Sequence, residues 1–478
     1  MKNKFLTLLS IVFIFSLFIK CSKDEPIIEF TLTTNISPSD GGTVNPSSGT
    51  FESGDKITLR STPKEHYKFK NWSGGVSGTT NPVTVTMGSN KSITVNFELK
   101  DTDGDGIMDN VDTCSDTPSG ETVDSNGCER LTYIPDDNFE NIFISLGKDD
   151  ILDDYVKTSM VETVLTMDLY NKNIYDLTGI EDFKNLTFLN VESNKLTTID
   201  VSQNTKLTSL YFGHNFITEF NISSDILEKI SGSGNDLGSI NLSNCPNLEE
   251  VLFYDCNLQS VDLSSLPKLK KLELSTNNFT TIDFSNQSLL ESISIQTSSL
   301  NFIDISGQIN LKTLLLGNNN FTTIDLSNQV NLVQLDLGSN KLSSIDVSNS
   351  QNLTFLGISN NEITGIDLSK NVNLEKTYLS NNNITGEVDF SNNNRLYHVE
   401  SGNNKISSIK FDNPIYMERL DLEFNSLTTI DVSKMDELTI FHINTNPLTC
   451  IQVSQKQLDN NVSRWIKDSE DSYSLDCN

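Results

Sequence analysis

Five aspartates, Asp101, Asp103, Asp105, Asp109 and Asp112, occupy positions 1, 3, 5, 9 and 12 of the stretch DTDGDGIMDNVD, with Gly106 at position 6. Carboxylates at this spacing can converge on a hard divalent cation, and the carbonyl of Ile107 would supply the ligand at position 7. Calcium takes about six to eight such oxygens, provided that a glycine permits the sharp turn between them. Residues 101–128 hold eight acidic and no basic residues, so without a cation their repulsion would keep the segment expanded. Ca2+ is therefore the expected cofactor. Other chemistry is sparse. The four histidines, His66, His214, His398 and His442, have no Ser or Cys at nucleophile spacing and form no HExxH pair, which argues against an enzyme.

The run DTDGDGIMDNVDTCSDTPSGETVDSNGC (101–128) resembles a thrombospondin type 3 calcium repeat of bacterial envelope proteins. The resemblance implies the five aspartates as ligands. It also includes the pair Cys114 and Cys128, which an oxidising, exported setting would join.

A loop of this kind must be held between folded elements, and the largest of these is a repeat. LNVESNKLTTIDVSQN (189–204) recurs as LDLGSNKLSSIDVSNS (335–350) and LGISNNEITGIDLSKN (356–371). Aligned on one asparagine, the sites are 173, 194, 215, 235, 256, 277, 298, 319, 340, 361, 382, 404, 425 and 446; every interval is 21 residues except one of 20 and one of 22. The pattern LxxLxLxxNxL resembles the leucine-rich repeat, in a 21-residue variant. Flanking apolar residues such as Leu189 and Val191 are expected to point inward and Asn190 outward, stacking the strands as a parallel sheet on the concave face. Leu196, Ile199, Val201 and Leu207 are expected to fill the same interior. Cys256 and Ser298 replace the asparagine in two coils, and Cys245 and Cys256 are read as buried free thiols. The alternating IDVS and IDLS segments predict short strands on the outer face.

Ahead of the repeat, residues 30–99 alternate apolar and polar runs separated by GG, NPSSG and NWSGG, which predicts short antiparallel strands. GGTVNPSSGTFESGDKITLRSTPKEHYKFKNWSGG resembles the small bacterial surface domain related to the internalin B repeat. Its aromatics Tyr67, Phe69 and Trp72 are read as core. YIPDDNFENIFISLGKDDILDDYV (133–156) reads as a cap on the first coil, with Asp149, Asp150, Asp153 and Asp154 as solvated surface. Cys450 and Cys477 bracket a C-terminal cap around Trp465, and a disulfide between them is expected.

The first residues speak to location. MKNK followed by FLTLLSIVFIFSLFI (5–19) is a basic and apolar leader too short for a comfortable membrane span, with Cys21 just after it. It resembles a bacterial lipoprotein signal, and SKDE after Cys21 resembles the surface-export tag of Bacteroidota lipoproteins. Lys20 departs from the small residue usual before the cysteine. The resemblance implies a lipidated Cys21 and a surface-exposed lipoprotein of the cell outer membrane. The organisation expected is a signal peptide over 1–20, a tether over 21–29, a β domain over 30–99 and a calcium linker over 100–128. An N-terminal cap over 129–167, repeats over 168–447 and a C-terminal cap over 448–478 complete it.

With 64 Asp plus Glu against 34 Lys plus Arg and a net charge of -30, the chain is unsuited to phosphate backbones, and nucleic acid is not an expected partner. Function is then sought on the strand face. Its outward residues include Phe188, Tyr211, Tyr254, Asp336, Phe355, Tyr378, His398, Arg419, Asp421 and His442, a mixture that suits a protein or glycan partner. His398 and His442 lie two coils, about 10 Å, apart, too far to share a zinc ion. The expected function is recognition or adhesion by a monomer at the cell surface. The alternative is a passive envelope spacer, and a contiguous aromatic patch on the strand face discriminates between the two.

Overall fold

The computed structural model describes residues 26–460 and 462–477; the signal expected over 1–20 and Cys21 lie outside the described residues. Chain contacts divide the protein after Arg130.

In the first unit, strands β1 (Glu29–Ser37), β2 (Gly42–Asn45), β3 (Gly49–Glu52), β4 (Lys56–Pro63), β5 (Tyr67–Gly74), β6 (Val83–Thr86) and β7 (Lys91–Leu99) form two sheets, in the orders β3-β1-β7-β5 and β2-β4-β6. One departure from the expected antiparallel pattern is that β1 and β7 pair in parallel, Leu32 opposite Lys91 through Ser37 opposite Asn96. The whole domain acts as their crossover, which parallel neighbours require. Inward positions at period two supply the core of Leu32, Leu59, Trp72, Val85, Ile93 and Val95. Trp72 is 2% exposed and its indole N–H donates to Thr80 O at 3.0 Å, while Phe69 packs against it at 5.6 Å. These aromatics are structural.

The second unit opens with a cap. Helix α1 (Asp137–Ser145) starts because Asp136 accepts the N–H groups of Asn138 and Phe139, at 2.9 and 3.1 Å. The other oxygen of Asp136 accepts from Tyr175 and Asp176 at 2.6 and 3.1 Å, tying the cap to the first coil. Phe139 and Phe143 of α1 meet Phe183 at 5.9 and 5.8 Å, covering the end of the solenoid core. Glu140 is fully buried and receives the N–H groups of Asp153 and Asp154, so the acidic tail of the cap is organised around a carboxylate that sequence reasoning did not single out.

Fourteen three-residue strands, from Thr166–Asp168 to Ile440–His442, then stack into one parallel sheet. Register is strict: Phe188 faces Ser209, which faces Lys229. The central residue of each strand points inward, as Leu189, Leu210 and Ile230 do, all at 0% exposure. The expected interior residues are largely in place, with Leu196, Val201 and Leu207 buried and Ile199 half-buried against the core.

The repeated asparagine performs the same bonds in successive coils. Asn340 donates through Nδ2 to Leu316 O and Leu337 O, at 3.1 and 3.0 Å, and its Oδ1 accepts from Phe321 N at 3.0 Å. Ser298 makes a different bond, its hydroxyl donating to Asn277 O of the preceding coil at 2.9 Å, and Cys256 keeps only a weak contact at an asparagine acceptor position, Gly232 O at 3.4 Å. The residue before thirteen of the fourteen ladder sites adopts left-handed backbone, as at Ser193, Asn318 and Asn381, the exception being the first site, Asn173; this turns the chain away from the sheet.

On the outer side the expected strands form only late, as Thr385–Asp389 with Lys405–Lys410 and Thr429–Asp431 with Cys450–Gln452. The aspartate of IDxS accepts the N–H of the serine two residues on in coils without outer strands, as Asp283, Asp304, Asp325 and Asp346 do at 2.8 to 3.0 Å, and equally in coils with them, as Asp389 of VDFS and Asp431 do at 2.8 and 2.9 Å. A side chain that satisfies the local backbone in this way makes a turn, which follows the outer strand where one forms and does not exclude it.

A second interior ladder runs behind these turns. Gln287, Gln308 and Gln329 donate to Leu263 O, Phe284 O and Ile305 O at 2.7 to 2.8 Å, flanked by Asn204, Cys245, Asn371 and Asn393. Gln457 of the C-terminal cap ends it, donating to Val432 O and Met435 O. That cap is closed by the Cys450–Cys477 disulfide, with Trp465 edge-on to Phe441 at 5.2 Å. Among the described residues no helix is long and apolar enough to cross a membrane.

Candidate recognition face and metal loop

The outward strand positions gather into two aromatic groups. Near the N-terminal end Phe188 and Tyr211, on adjacent coils, lie 5.6 Å apart. Beside them Lys229 pairs with Glu250 at 2.8 Å, and burial raises the Tyr211 phenol above its usual value.

Seven coils further on, roughly 34 Å at about 4.8 Å per coil, a longer chain of contacts begins. Phe355 meets Tyr378 at 5.5 Å, and Tyr378 meets His398 at 5.0 Å. His398 Nε2 is 2.8 Å from Glu400 Oε1. Arg419 Nε lies 2.9 Å from the same oxygen, out of line for a hydrogen bond, and Nη2 lies 3.8 Å from Asp421. His442 Nδ1 closes the series at 3.0 Å from Asp421. Register decides which of these side chains meet: Asp421 and His442 are directly opposed, Phe355–Tyr378, Tyr378–His398 and Glu400–Arg419 meet diagonally between adjacent coils, and His398–Glu400 and Arg419–Asp421 lie two residues apart on one strand.

Two expected members stand apart. Tyr254 lies beyond its strand, Glu250–Leu252, because two further residues carry the chain into the corner. Asp336 is half-buried, takes the N–H of Gly338 at 2.9 Å and sits so close over Gly357 that a Cβ there would meet its Oδ1 at 2.9 Å. Loss of solvation pushes its carboxyl above the usual range, partly offset by that N–H. Asp421, expected to face solvent, is instead engaged by Arg419 and His442. The free thiols are inside: burial raises Cys245 and pushes Cys256 up to about 11, so neither is poised as a thiolate.

In the acidic loop, Asp101, Asp103 and Asp105 bring carboxylate oxygens within 4.8 Å of one another. Gly104 and Gly106 take left-handed backbone, φ 82° and 96°, and both donate N–H to Asp101. Asp103 accepts from Thr117 N at 2.9 Å. Asp105 Oδ2 is buried without a partner. A Cβ on Gly127 would collide with Asp112 and lie 3.1 Å from that Asp105 oxygen, so Asp112 borders the group. Asp109 is turned away to accept the N–H and hydroxyl of Thr102 at 2.8 and 2.7 Å, and the N–H of Ile107 donates to Asp105. The Cys114–Cys128 disulfide, with Cα atoms 5.0 Å apart, staples the far side. An orphaned carboxylate oxygen beside two other carboxylates fits a hard cation held by Asp101, Asp103, Asp105 and Asp112.

These features define a leucine-rich repeat solenoid preceded by a small β domain of B-repeat type. Residues 32–101 match the family described as the divergent InlB B-repeat domain, and residues 155–277 match the leucine-rich repeat domain of the endo-beta-N-acetylglucosaminidase EndoS. The functional domain of InlJ from Listeria monocytogenes is similar in structure, with TM-score 0.63 and 27% identity over 67% of this chain and 72% of that one. That domain includes a cysteine ladder, whereas the ladders here are built of Asn and Gln amides. A leucine-rich repeat protein of Leptospira interrogans shares the fold at TM-score 0.57 and 22% identity, over 65% of this chain and 85% of that one. In sequence, Internalin J of Listeria monocytogenes is 36% identical over 73 residues, 15% of this chain and 8% of that protein. The chain spans 10% or less of the curated relatives it matches.

Proposed function

We propose that this protein is a surface lipoprotein, anchored through Cys21 in the outer membrane, that binds a protein or glycan partner through the C-terminal half of its strand face and performs no catalysis. The observation that carries this reading is the continuous series Phe355–Tyr378–His398–Glu400–Arg419–Asp421–His442. A spacer without a ligand has no need of aromatic and Arg side chains held in contact across five coils, and such residues carry most of the energy in binding interfaces. Calcium held at Asp101, Asp103 and Asp105 would stiffen the linker that presents the face.

The test is adhesion of intact cells and capture from protein and polysaccharide extracts by the full chain. Tyr378→Ala with Arg419→Ala should lower partner capture at least tenfold with little change in melting temperature, since both side chains leave the core. Unchanged capture by a folded double variant would favour the passive spacer. Cys21→Ala should release the protein from membranes; a variant that stays bound would show that the apolar run 5–19 anchors it.

A further inference from the structure

The residue just before each strand belongs to a column along the side of the solenoid, in which each backbone N–H donates to the carbonyl of its equivalent one coil earlier. Glu249, Lys270, Glu291 and Lys312 follow one another in this way, and further on so do Glu375, Tyr397 and Glu418. In the first stretch opposite charges alternate and pair. Lys270 meets Glu249 at 2.7 Å and Lys312 meets Glu291 at 2.6 Å. Lys312, and to a smaller extent Lys270, hold the Glu291 carboxyl below its usual range, so Lys270 acts on the glutamates on both sides of it.

In the second stretch the two glutamates recur and the lysine between them does not. Tyr397 takes its place. Two residues earlier on three successive coils come Arg395, Tyr416 and Glu437, and these six side chains line an open groove of about 520 Å³. Tyr416 is 58% exposed. Among the described residues none of the three glutamates, nor Arg395, has an ion pair or a side-chain hydrogen bond. The Tyr397 ring already attracts one cation, Lys376 Nζ at 5.3 Å from its centre, and Lys376 lies outside the groove lining.

We propose that this groove takes a lysine or arginine side chain of a protein partner, set between Glu375 and Glu418 as Lys270 is set between Glu249 and Glu291. The partner supplies the charge that the column lacks at Tyr397. Its cation is drawn by three carboxylates against the single guanidinium of Arg395 and rests on tyrosine rings, which favour a cation over their faces. A neutral glycan offers no such charge. The proposal deepens the strand-face reading and rests on it: Lys376, His398 and Arg419 of that face directly follow Glu375, Tyr397 and Glu418 in the chain, so one partner spans both surfaces.

The test is titration of the full chain, with isotope-labelled tyrosine rings, by Nα-acetyl-lysine amide and Nα-acetyl-arginine amide in turn, with Nα-acetyl-norleucine amide as the uncharged control. The ring resonances of Tyr397 and Tyr416, identified by Tyr397→Phe and Tyr416→Phe, should shift saturably at millimolar concentration with at least one of the two cations and not with norleucine. Glu375→Gln with Glu418→Gln should weaken that binding about threefold or more, as exposed charge pairs allow, while Arg395→Gln should bind at least as well as wild type and Tyr378→Ala equally. No shift, an equal shift with norleucine, or binding indifferent to the two glutamates would overturn the proposal. Loss in Arg395→Gln would mean that the groove takes an anion, and loss in Tyr378→Ala would put the probe on the strand face; either overturns it as well. Failure of the strand-face reading shows separately, as partner capture unchanged by Tyr378→Ala with Arg419→Ala while the amides still bind.

Discussion

Replacing Asn340 by Ser removes the acceptor for Phe321 N–H and the donor to Leu316 O and Leu337 O, all in the buried interior. Ser298 shows what remains, one hydroxyl bond to the preceding coil. A buried N–H left unpaired costs about 1–3 kcal/mol, and under-satisfied carbonyls are better tolerated. Asn340→Ser should therefore lower stability by about 2–4 kcal/mol in urea unfolding, and exchange of the Phe321 amide should accelerate in parallel. The reverse change, Ser298→Asn, offers Phe279 N–H an acceptor and should stabilise by about 1 kcal/mol. In a linear array such effects pass to nearest neighbours, so the exchange change should fade within two coils. If Asn340→Ser shifts stability by less than about 0.5 kcal/mol, or leaves Phe321 protection intact, the ladder does not hold the coils together as argued.

Thr377 occupies a central strand position that is aliphatic in neighbouring coils, and its buried hydroxyl has no partner; Thr377→Val should raise stability by about 1 kcal/mol in the same unfolding assay. Asp336 has its carboxyl raised above 3.8. The native state therefore favours the protonated form, and the ionised side chain lowers stability as pH rises from the unfolded value through the folded one. Asp336→Asn should melt higher than wild type at pH 7, and the difference should vanish below about pH 3.8; an equal gain at both pH values would mean that the substitution acts through packing. Calcium should protect residues 101–128 from proteolysis and chelator should remove that protection; Asp103→Ala with Asp105→Ala should cleave equally in both.

The period of 21 and the residues that hold it were legible because every coil repeats them. Asn194 and Asn340 do the same work in the same register, so the fold shows in the spacing alone. Non-recurring features were harder. Asp136 caps α1 locally, but its bonds to Tyr175 and Asp176, and those of Glu140 to Asp153 and Asp154, act once and reach backbone groups 13 to 40 residues away, which no local pattern marks. The second ladder does recur, at Gln287, Gln308 and Gln329, but with Asn204, Cys245 and Asn371 at the same position, and Ser350 there donating its hydroxyl to Gln329 O at 3.0 Å, it hides behind changing residue types. Alternation of apolar and polar residues is also what an aspartate-capped turn produces, so IDVS alone does not tell the coils with outer strands from those without. On the face, side-chain type identified Phe355, Tyr378 and His398, whereas their contact depends on strict register. The engagement of Asp421 depends on cross-coil distances that composition does not encode.

That register also makes the spacing of the two aromatic groups discrete. Each coil contributes one step of about 4.8 Å, and Phe188–Tyr211 stands seven steps from Phe355. Duplication or loss of a whole 21-residue unit would leave every inward and outward position unchanged in kind, yet lengthen or shorten the separation by one step. The 20- and 22-residue coils change a turn by one residue while Asn235 and Asn404 keep the strand-side ladder, so the strand spacing is held even there. The solenoid is thus a ruler with fixed graduations, on which a lineage can vary the reach between two contact points without redesigning either.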